Sequence, residues 1–566
     1  MDVNNLYELW RKNAVDDPAL IKELNEIEGK DDEIFDRFYR ELEFGTAGLR
    51  GVIGAGTNRM NVYTVRKVTQ GLAEYVLAEK GNSVAIAYDS RINSDLFAKE
   101  AASVLAANGI KVYIYSELMP TPMLSFAVRQ LKCTSGIVIT ASHNPAKYNG
   151  YKAYGSDGCQ LSVENSGKVL EYINKVDMFG GAKRVDFEEA LNKGTIEYIS
   201  QDIINKFLDT VYSYSINPVR CDFKVIYTPL NGTGNKPVRE ILRRIGVKNI
   251  TVVPEQEYPD GNFPTAPYPN PEIKEAFEKA LELSKTVDAD ILLATDPDCD
   301  RVGIAVKSEG GYTLMTGNEV GALLVDYVLS GRKAKGTLPK NPVAVKTIVT
   351  TELAAKIAAK YGCEMRDVFT GFKYIGEQIK LLEEKGEENR FVFGFEESYG
   401  YMAGGYVRDK DAVIASMLIC EMAAFYKEQG KTLIEVLKSL YEEHGMVYCL
   451  QKSFTFEGAA GMEIMANIME NLRVNPPAQI GGDIVCSRLD YKTSIETDNV
   501  TGEEKEITLP KSNVLSYILS NDGDKLIIRP SGTEPKIKIY ITAIEPDEQT
   551  AKIKANKWLE DISSKF

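Results

Sequence analysis

The sequence predicts an α/β protein built from three sets of alternating strands and helices, followed by a smaller α+β tail. Short apolar runs, such as 291–294 and the β-branched run at 136–139, alternate with amphipathic helical stretches along most of the chain. Several of these runs end in polar loops, which is where ligands bind in open α/β sheets. The tail instead carries an alternating strand at 537–542 and a closing helix. We therefore predict domains at 1–205, 206–316, 317–448 and 449–566.

The composition is that of a globular protein whose overall charge repels nucleic acid. The 566 residues are 44% hydrophobic and carry 67 Lys and Arg against 81 Asp and Glu, a net charge of −14. Such a surface disfavours nucleic acid and acidic lipid as partners. No apolar run approaches the ~20 residues of a membrane span. The absence of a signal-peptide pattern and of any Cys-x-x-Cys pair indicates a cytoplasmic protein.

The first set of elements begins after a charged, helical N-terminal stretch and leads to a loop that carries Ser142. We expect Leu6, Leu9 and Trp10 of the N-terminal stretch to contact the body of the protein. The elements predicted before the loop are a helix at 62–79, a strand at 83–88, a helix at 95–108 and strands at 112–115 and 136–139. Ser142 therefore follows a strand's carboxyl end.

Two loops of this first set have residues suited to phosphate chemistry. Loop 140–145 places His143 beside Ser142, and a serine hydroxyl needs a base or an electrophile to act as a nucleophile. Loop 44–51 has glycines around Arg50, which suits close approach to an anion. An ordinary turn rich in Ser, Asn and Pro explains the first loop equally well when it is taken alone.

The second set ends in a group of carboxylates that suits a metal ion. A strand at 223–227, a loop at 228–234 and a helix at 236–245 precede strand 291–294, which runs into Asp296, Asp298 and Asp300. Alternate residues of an extended backbone share one side, and hard oxygens suit Mg²⁺. A calcium loop of the EF-hand type is excluded, because Arg301 and Lys307 stand where it needs Gly and Glu. An aspartyl-phosphate nucleophile and a solvated acidic turn remain as alternatives.

The third set and the tail supply further polar loops. After strand 391–393, Glu396 and Ser398 offer partners for adjacent sugar hydroxyls, and a buried helix is predicted at 411–427. Three further cationic residues have two interpretations, as anion-binding groups or as ordinary surface charges: Lys373, Arg408 and Lys410. In the tail, a helix is predicted at 458–472 and a strand at 526–528. A phosphate clamp or a hairpin turn follows at 529–536, with the candidate ligands Arg529, Ser531, Gly532 and Thr533.

In this order the loops resemble the α-D-phosphohexomutase superfamily, which includes phosphoglucomutases and phosphomannomutases. Loops 140–145, 296–301, 394–398 and 529–536 carry the resemblance over almost the whole chain. Loops 44–51, 370–373 and 394–400 are most similar to the subgroup of phosphoglucomutase-2 and phosphopentomutase-like enzymes. The resemblance implies three α/β domains with mixed sheets and a C-terminal α+β domain around a central cleft.

The resemblance also implies the roles of the residues in these loops. Ser142 bears the phosphoryl group, and a phosphoserine oxygen joins Asp296, Asp298 and Asp300 as a ligand of Mg²⁺. The residues expected at the phosphoryl group are Lys152 for proton transfer, with His143, Arg50 and Arg301. Glu396 and Ser398 contact the sugar, while Arg529, Ser531, Gly532 and Thr533 hold the phosphate that is not transferred. Some phosphomannomutase-type members have Gly-His where this chain has Gly400 and Tyr401, so Lys410 or Lys373 is the candidate for a second proton-transfer group.

The expected activity is that of a phosphoglucomutase in carbohydrate metabolism. Phosphoserine 142 would convert glucose 1-phosphate to glucose 6-phosphate through glucose 1,6-bisphosphate, which also serves as activator. The alternative substrates are pentose and mannose phosphates, and a more remote alternative is an aspartyl-phosphate phosphatase. The expected partner is a small sugar phosphate, without nucleic acid or membrane, and the protein is expected to be a monomer or a homodimer.

Overall fold

The computed structural model describes residues 2–45, 48–456, 461–520, 523–531 and 535–566. It forms two compact units. The first unit comprises Met1–Gly317 and Phe372–Thr432, and the second comprises Asn318–Gly371 and Leu433–Phe566. Within the described ranges, no helix combines the length and the apolar character needed to cross a membrane.

The first sheet carries the Ser142 loop at its edge. Its strands are β1 (Gly48–Val52), β2 (Ser83–Tyr88), β3 (Lys111–Ile114), β4 (Ser135–Ile139), β5 (Tyr148–Gly155) and β6 (Ile196–Tyr198). The helices are α1 (Val3–Asn13), α2 (Pro18–Glu26), α3 (Asp31–Phe38), α4 (Val62–Ala78), α5 (Ser94–Ala107), α6 (Thr121–Gln130), α7 (Val163–Ile173), α8 (Phe187–Asn192) and α9 (Gln201–Tyr212). The strand order is β1-β5-β4-β2-β3-β6. Because β4 pairs parallel with β2 and antiparallel with β5, the sheet is mixed.

The N-terminal helices close one side of the first core. Trp10 is buried and meets Phe38 edge to face, and Leu6 packs against the same cluster. Leu9, in contrast, is 39% exposed, so its predicted contact with the body is wrong. The reason is geometric: Leu9 lies one residue before Trp10, and adjacent residues of a helix point in different directions.

The second sheet carries the three aspartates. Its strands are β7 (Lys224–Thr228), β8 (Asn249–Val252), β9 (Ile291–Thr295), β10 (Val302–Ser308) and β11 (Gly311–Met315), in the order β11-β10-β9-β7-β8. The helices are α10 (Asn235–Arg244), α11 (Pro254–Glu257), the 3₁₀-helix Lys274–Phe277 and α12 (Glu278–Leu283). The aspartates lie in the turn between the antiparallel strands β9 and β10, where Cys299 has φ +52°. Our expectation of an extended backbone for them is therefore wrong.

The third set of elements is shared between the two units. Its elements are α13 (Gly317–Ala334), β12 (Val343–Thr347), α14 (Glu352–Lys360), β13 (Glu364–Val368), α15 (Phe372–Glu383), the 3₁₀-helix Glu388–Arg390, β14 (Phe391–Glu396), β15 (Gly400–Met402) and α16 (Ala412–Glu428). In the second unit β12 pairs parallel with β13, and in the first unit β14 pairs antiparallel with β15. As predicted, α16 is buried over most of its length.

The tail is an α+β structure, as the sequence predicts. The third set ends with α17 (Leu433–His444), and the tail comprises β16 (Met446–Thr455), α18 (Gly461–Val474), β17 (Gln479–Ile480), β18 (Asp483–Ile484), β19 (Ser487–Asp490), β20 (Ile495–Asp498), β21 (Glu504–Glu506), β22 (Leu515–Ile518), β23 (Lys525–Pro530), β24 (Lys536–Glu545) and α19 (Glu548–Ser563). The main sheet has the order β16-β24-β23-β22-β19-β20-β21. The alternating isoleucines of β24, Ile537, Ile539 and Ile541, are buried in one core with Trp558 of α19.

Candidate active site

The Ser142 hydroxyl meets the aspartate turn at the carboxyl end of β4. Ser142 Oγ donates a hydrogen bond to Asp296 Oδ2 at 2.8 Å, and it lies 3.2 Å from Nδ1 of His143. The Ser142 backbone N–H donates to Thr140 Oγ1, and its φ of +52° is left-handed. Ser142 is only 7% exposed. The structure therefore brings the predicted nucleophile and the predicted metal ligands together.

The carboxylates of Asp296, Asp298 and Asp300 form a compact group of potential metal ligands. All three residues are buried, and one oxygen from each lies within 4.8 Å of the others. Asp298 Oδ1 and Asp300 Oδ1 are buried and have no hydrogen-bond partner among the described residues. Buried carboxylate oxygens normally have partners, and neighbouring negative charges repel one another. Hard oxygens left unpaired in this way fit a divalent cation such as Mg²⁺.

Two neighbouring segments fix the shape of the aspartate turn. The Thr121 backbone N–H, at the start of α6, donates to the Asp298 carbonyl at 2.9 Å, and Thr121 Oγ1 donates to Asp298 Oδ2 at 2.9 Å. Thr233 N–H donates to the Pro297 carbonyl at 2.8 Å. A Cβ on Gly232 would lie 2.4 Å from Pro297 Cα, so only glycine allows this approach.

Two lysines reach the carboxylates from different elements. Lys152, on β5, places Nζ 2.9 Å from Asp298 Oδ2 and 3.7 Å from Asp300 Oδ2. Lys410, in the segment before α16, places Nζ 3.4 Å from Asp300 Oδ2 and 3.9 Å from Glu396 Oε1. Although burial opposes the charge of both lysines, the carboxylates around them raise the pKa of each above its ordinary value. Both are therefore ammonium groups at neutral pH.

Burial and neighbouring charges together shift the pKa values of His143 and Asp298. Burial, assisted by the positive charges of Arg301 and Arg50, holds the pKa of His143 well below its usual value. His143 is therefore neutral at pH 7. Burial acts to raise the pKa of Asp298, but the charge of Lys152 and the hydrogen bonds that Asp298 accepts lower it below its ordinary value.

The turn between β14 and β15 brings Glu396 to the same place. Arg301 and Gly400 form an isolated antiparallel bridge, which joins this turn to the aspartate turn. A Cβ on Gly400 would lie 2.1 Å from Lys410 Cδ, so glycine leaves room for the lysine to extend towards Glu396. The Arg301 guanidinium pairs with Glu272. Ser398 lies in the turn itself.

The comparisons with known proteins concern the family to which the chain belongs. Family models of phosphoglucomutase/phosphomannomutase match as alpha/beta/alpha domain I at residues 41–179, domain II at 204–311 and domain III at 316–444. The phosphoglucomutase of Staphylococcus saprophyticus subsp. saprophyticus is 37% identical over 552 residues, which cover 97% of this chain and 98% of the relative. The chain belongs to the phosphoglucomutase/phosphomannomutase family. It is a phosphohexomutase enzyme of the phosphoglucomutase type.

Solved structures share the fold of this family member. The phosphoglucomutase pp63/parafusin from Paramecium, in an open form, matches with a TM-score of 0.69 and 18% identity, covering 93% of this chain and 96% of that one. The Aspergillus fumigatus N-acetylphosphoglucosamine mutase in complex with GlcNAc-6P and magnesium matches with a TM-score of 0.52 and 13% identity, covering 97% and 99%. At these identities the likeness concerns the fold.

The other predicted site residues of this phosphohexomutase lie in varied surroundings. Arg50, on β1, is exposed, and its Nη1 lies 3.5 Å from Asn144 Oδ1. Lys373, on α15, is half-buried, and burial lowers its pKa. Arg408 is 1% exposed and donates to Glu383 Oε2 at 2.8 Å, so its surroundings favour a structural role over the predicted substrate contact.

The predicted phosphate clamp lies in the second unit. Arg529 is on β23, and Ser531 follows that strand. The Ser531 backbone N–H donates to the Lys536 carbonyl at 2.7 Å. Gly532 and Thr533 lie outside the described residues.

Sequence reasoning missed several residues of this phosphohexomutase site. The Arg91 guanidinium donates a hydrogen bond to the carbonyl oxygen of Ser142. The Thr121 hydroxyl donates one to the carboxylate of Asp298. Asp409 accepts a hydrogen bond from the Tyr154 hydroxyl at 2.8 Å and places its Oδ1 3.4 Å from Lys410 Nζ. A usable signal existed for Arg91, because it follows the carboxyl end of a predicted strand, as Ser142 does.

Proposed function

We propose that this phosphohexomutase interconverts glucose 1-phosphate and glucose 6-phosphate, with Ser142 as the residue that carries the phosphoryl group. The observation that carries the proposal is the 2.8 Å hydrogen bond from Ser142 Oγ to Asp296 Oδ2. This bond joins a nucleophilic oxygen to one of three carboxylates that each offer an oxygen within 4.8 Å of the others. Phosphoryl transfer depends mainly on positioning and charge neutralisation, and both are provided by this arrangement.

Asp296, Asp298 and Asp300 would hold Mg²⁺, with an oxygen of phosphoserine 142 as a further ligand. Their unpaired buried oxygens and their hard, anionic character suit this ion. When bound, the cation would neutralise charge on the oxygens of the transferred phosphoryl group.

The transfer step exchanges one phosphorus–oxygen bond for another. The bond from phosphorus to Ser142 Oγ breaks as the bond from phosphorus to the sugar hydroxyl oxygen forms. Lys152, which is an ammonium group, gives a proton to the departing Ser142 oxygen. The amine that results takes the proton of the sugar hydroxyl, so Lys152 ends the step as it began. The positive charge of Lys410 stabilises the negative charge that develops during the step.

The two ends of the substrate are held by different loops in this proposal. Glu396 and Ser398 would bind sugar hydroxyls, as an acceptor and as a donor or acceptor. The phosphate that is not transferred would be bound by Arg529, Ser531, Gly532 and Thr533. Glucose 1,6-bisphosphate formed in the first transfer turns over and returns its other phosphoryl group to Ser142, which regenerates the phosphoenzyme.

A coupled assay tests the proposal. With Mg²⁺ and a trace of glucose 1,6-bisphosphate, the wild type should form glucose 6-phosphate from glucose 1-phosphate faster than it converts ribose 1-phosphate or mannose 1-phosphate. Ser142→Ala should have no measurable turnover, while Ser439→Ala, on the surface of α17, should match the wild type.

The site of phosphorylation separates this proposal from an aspartyl-phosphate enzyme. Incubation with labelled glucose 1,6-bisphosphate should give an acid-stable phosphate that maps to Ser142. A hydroxylamine-labile acyl phosphate on Asp296 or Asp298 would instead favour the phosphatase.

A further inference from the structure

The Arg91 side chain lies against the backbone of the Ser142 loop. Its guanidinium donates to the carbonyl oxygens of Ser142 at 2.6 Å, Pro145 at 3.0 Å and Tyr148 at 2.9 Å, and it also donates to that of Asn144. The Arg91 side chain has no exposed surface. One buried cation thus binds three carbonyl groups of the Ser142 loop and that of Tyr148, the first residue of β5.

These contacts determine the conformation of the loop. A guanidinium presents five N–H donors in a rigid plane, so the acceptors that it binds are fixed relative to one another. Ser142 has the left-handed φ of +52°, which a non-glycine residue keeps only where its surroundings enforce it. Both backbone polar groups of Ser142 are hydrogen-bonded: its carbonyl oxygen accepts from Arg91, and its N–H donates to Thr140 Oγ1.

A loop of the second sheet supports Arg91 from another side. The Arg91 guanidinium carbon lies 5.1 Å from the centre of the Phe263 ring, within the range of a cation–π contact. Phe263 is 1% exposed and itself has a left-handed φ of +47°, which is rare for an aromatic residue. A Cβ on Gly261 would lie 2.5 Å from Ile92 N, so the two backbones touch at this point.

Asp89 completes the surroundings of Arg91. Asp89 Oδ1 accepts the Arg91 backbone N–H at 2.9 Å and the Ser94 hydroxyl at 2.7 Å. Asp89 Oδ2 lies 3.3 Å from Arg91 Nε. The guanidinium is therefore held between an anion, an aromatic ring and the carbonyl groups of the nucleophile loop.

We propose that Arg91 is a positioning residue for the nucleophile, with Phe263 as its support. Arg91 acts through the Ser142 backbone: it fixes the left-handed conformation that directs Ser142 Oγ at Asp296. This inference rests on the proposed function of Ser142. It adds a residue whose side chain has no exposed surface and that acts on the nucleophile only through the backbone of its loop. Its support, Phe263, belongs to a loop of the other sheet.

A purely structural role for Arg91 makes a different prediction. A buried ion pair that only stabilises the fold would lower the unfolding temperature on mutation, while the folded fraction would keep its kcat. A positioning role lowers kcat and the rate at which Ser142 is phosphorylated, and it leaves the KM for glucose 1-phosphate nearly unchanged, because the substrate contacts remain.

The test compares Arg91→Lys, Arg91→Met and Phe263→Leu in the full-length, Mg²⁺-loaded enzyme, well below each unfolding temperature. Lysine keeps the positive charge, but all its N–H donors are on one nitrogen, so it cannot hydrogen-bond to all four carbonyl oxygens. Both Arg91 variants should lose about 100-fold in kcat, since a displacement of about 1 Å at a reacting atom has that effect. Their KM should stay within about 3-fold, and Phe263→Leu should lose about 10-fold in kcat.

A matched control isolates the effect of removing a buried arginine. Arg66, on α4, has a side chain that is only 6% exposed and pairs with Asp16 and Glu100. Arg66→Met should lower the unfolding temperature and leave kcat unchanged. The second readout is transfer of label from glucose 1,6-bisphosphate to Ser142, which should slow in the Arg91 variants by the same factor as kcat.

The outcomes separate the inference from the proposed function. If the wild type is phosphorylated on Ser142 and Arg91→Lys keeps the wild-type kcat, the inference is overturned and the proposed function stands. Should both Arg91 variants fail to fold, Phe263→Leu decides: a reduced kcat at wild-type KM supports the inference, and an unchanged kcat overturns it. A wild type that never carries phosphate on Ser142 would overturn the proposed function, and the inference with it.

Discussion

Lys152 and Asp298 form an ion pair at the centre of the candidate active site, with 2.9 Å between Nζ and Oδ2. Asp298 is buried, while the Lys152 side chain keeps 22% of its surface exposed. The lysine thus has a charged partner on one side and access to solvent, and so to a ligand, on another. The structure places this proposed proton carrier beside the potential metal ligands.

Replacement of this lysine should impair the chemical step. We expect Lys152→Met to lower kcat by about 10²–10⁴-fold, the usual contribution of a general acid or base. The KM for glucose 1-phosphate should change little. Lys147→Met is the control, since Lys147 is an exposed lysine near Ser142 that contacts the Tyr148 ring. Steady-state kinetics give both parameters, and equal kcat values for the two variants would contradict the assignment.

Binding of Mg²⁺ should be detectable without any assay of activity. Because the ion would bind the folded protein and not the unfolded chain, Mg²⁺ at about 100 times its Kd should stabilise the wild type by about 2.7 kcal/mol. Asp300→Asn should lose this shift, as it removes one of three converging carboxylates. Asp288→Asn, on the surface, should keep it. Thermal unfolding with Mg²⁺ or EDTA measures the difference, and a shift retained in Asp300→Asn would argue against the site.

Acid should destabilise the second unit through Glu352. Burial acts to raise the pKa of Glu352, but Lys346 and Lys525 lower it from 4.5 to about 2. A carboxylate with a depressed pKa stabilises the fold above its unfolded pKa, and this contribution is lost as pH falls from about 4.5 towards 2.

Comparison of urea unfolding at pH 7 and pH 3 tests this effect. The full contribution of Glu352 is of order 3 kcal/mol, and only part of it is lost at pH 3. Glu352→Gln should therefore lose less stability than the wild type over this interval. Glu442→Gln, an exposed residue of α17, should behave like the wild type. Identical acid sensitivity in the wild type and Glu352→Gln would refute the prediction.

Replacement by alanine should affect stability and activity differently at two glycines of the site. Gly232→Ala sets a Cβ against the Pro297 backbone, which cannot move easily, so we expect a loss of about 1–3 kcal/mol in stability as well as weaker Mg²⁺ binding. Gly400→Ala meets the flexible stem of Lys410, so kcat should fall with a smaller loss of stability.

An open glycine provides the control for both. Gly167 lies inside α7, and a Cβ added to it would have no neighbouring atom within 4 Å, so Gly167→Ala should stabilise the protein by about 0.5–1 kcal/mol. Denaturant unfolding and steady-state kinetics of the three variants give the comparison. A Gly232→Ala variant as stable as the wild type would show that the aspartate turn relaxes.

The sequence was sufficient to predict where the strands lie and which loops follow them. The runs at 83–88 and 291–294 are almost wholly apolar because these strands are buried on both faces, and they fall at β2 and β9. Ser142 and the aspartates follow such strands directly, so the pattern that predicts the strand also predicts the site.

Contacts between distant segments were not predictable from the sequence. Arg91 meets carbonyl groups more than fifty residues away, and Thr121 meets Asp298 across 177 residues. No local pattern encodes such pairings, which arise only when the sheets are in place. The extended backbone expected for the aspartates is wrong for a different, local reason: hydrogen bonds from Asp300 N and Arg301 N to Asp296 Oδ1 turn the chain.

The two hydrogen bonds from Thr121 to Asp298 have a consequence for protein engineering. They tie α6, which belongs to the first sheet, to the turn that follows β9 of the second sheet. A hybrid enzyme assembled from two parents would separate these partners if its crossover fell between them. Parents that differ at either position should therefore recombine well only when α6 and the aspartate turn are inherited together.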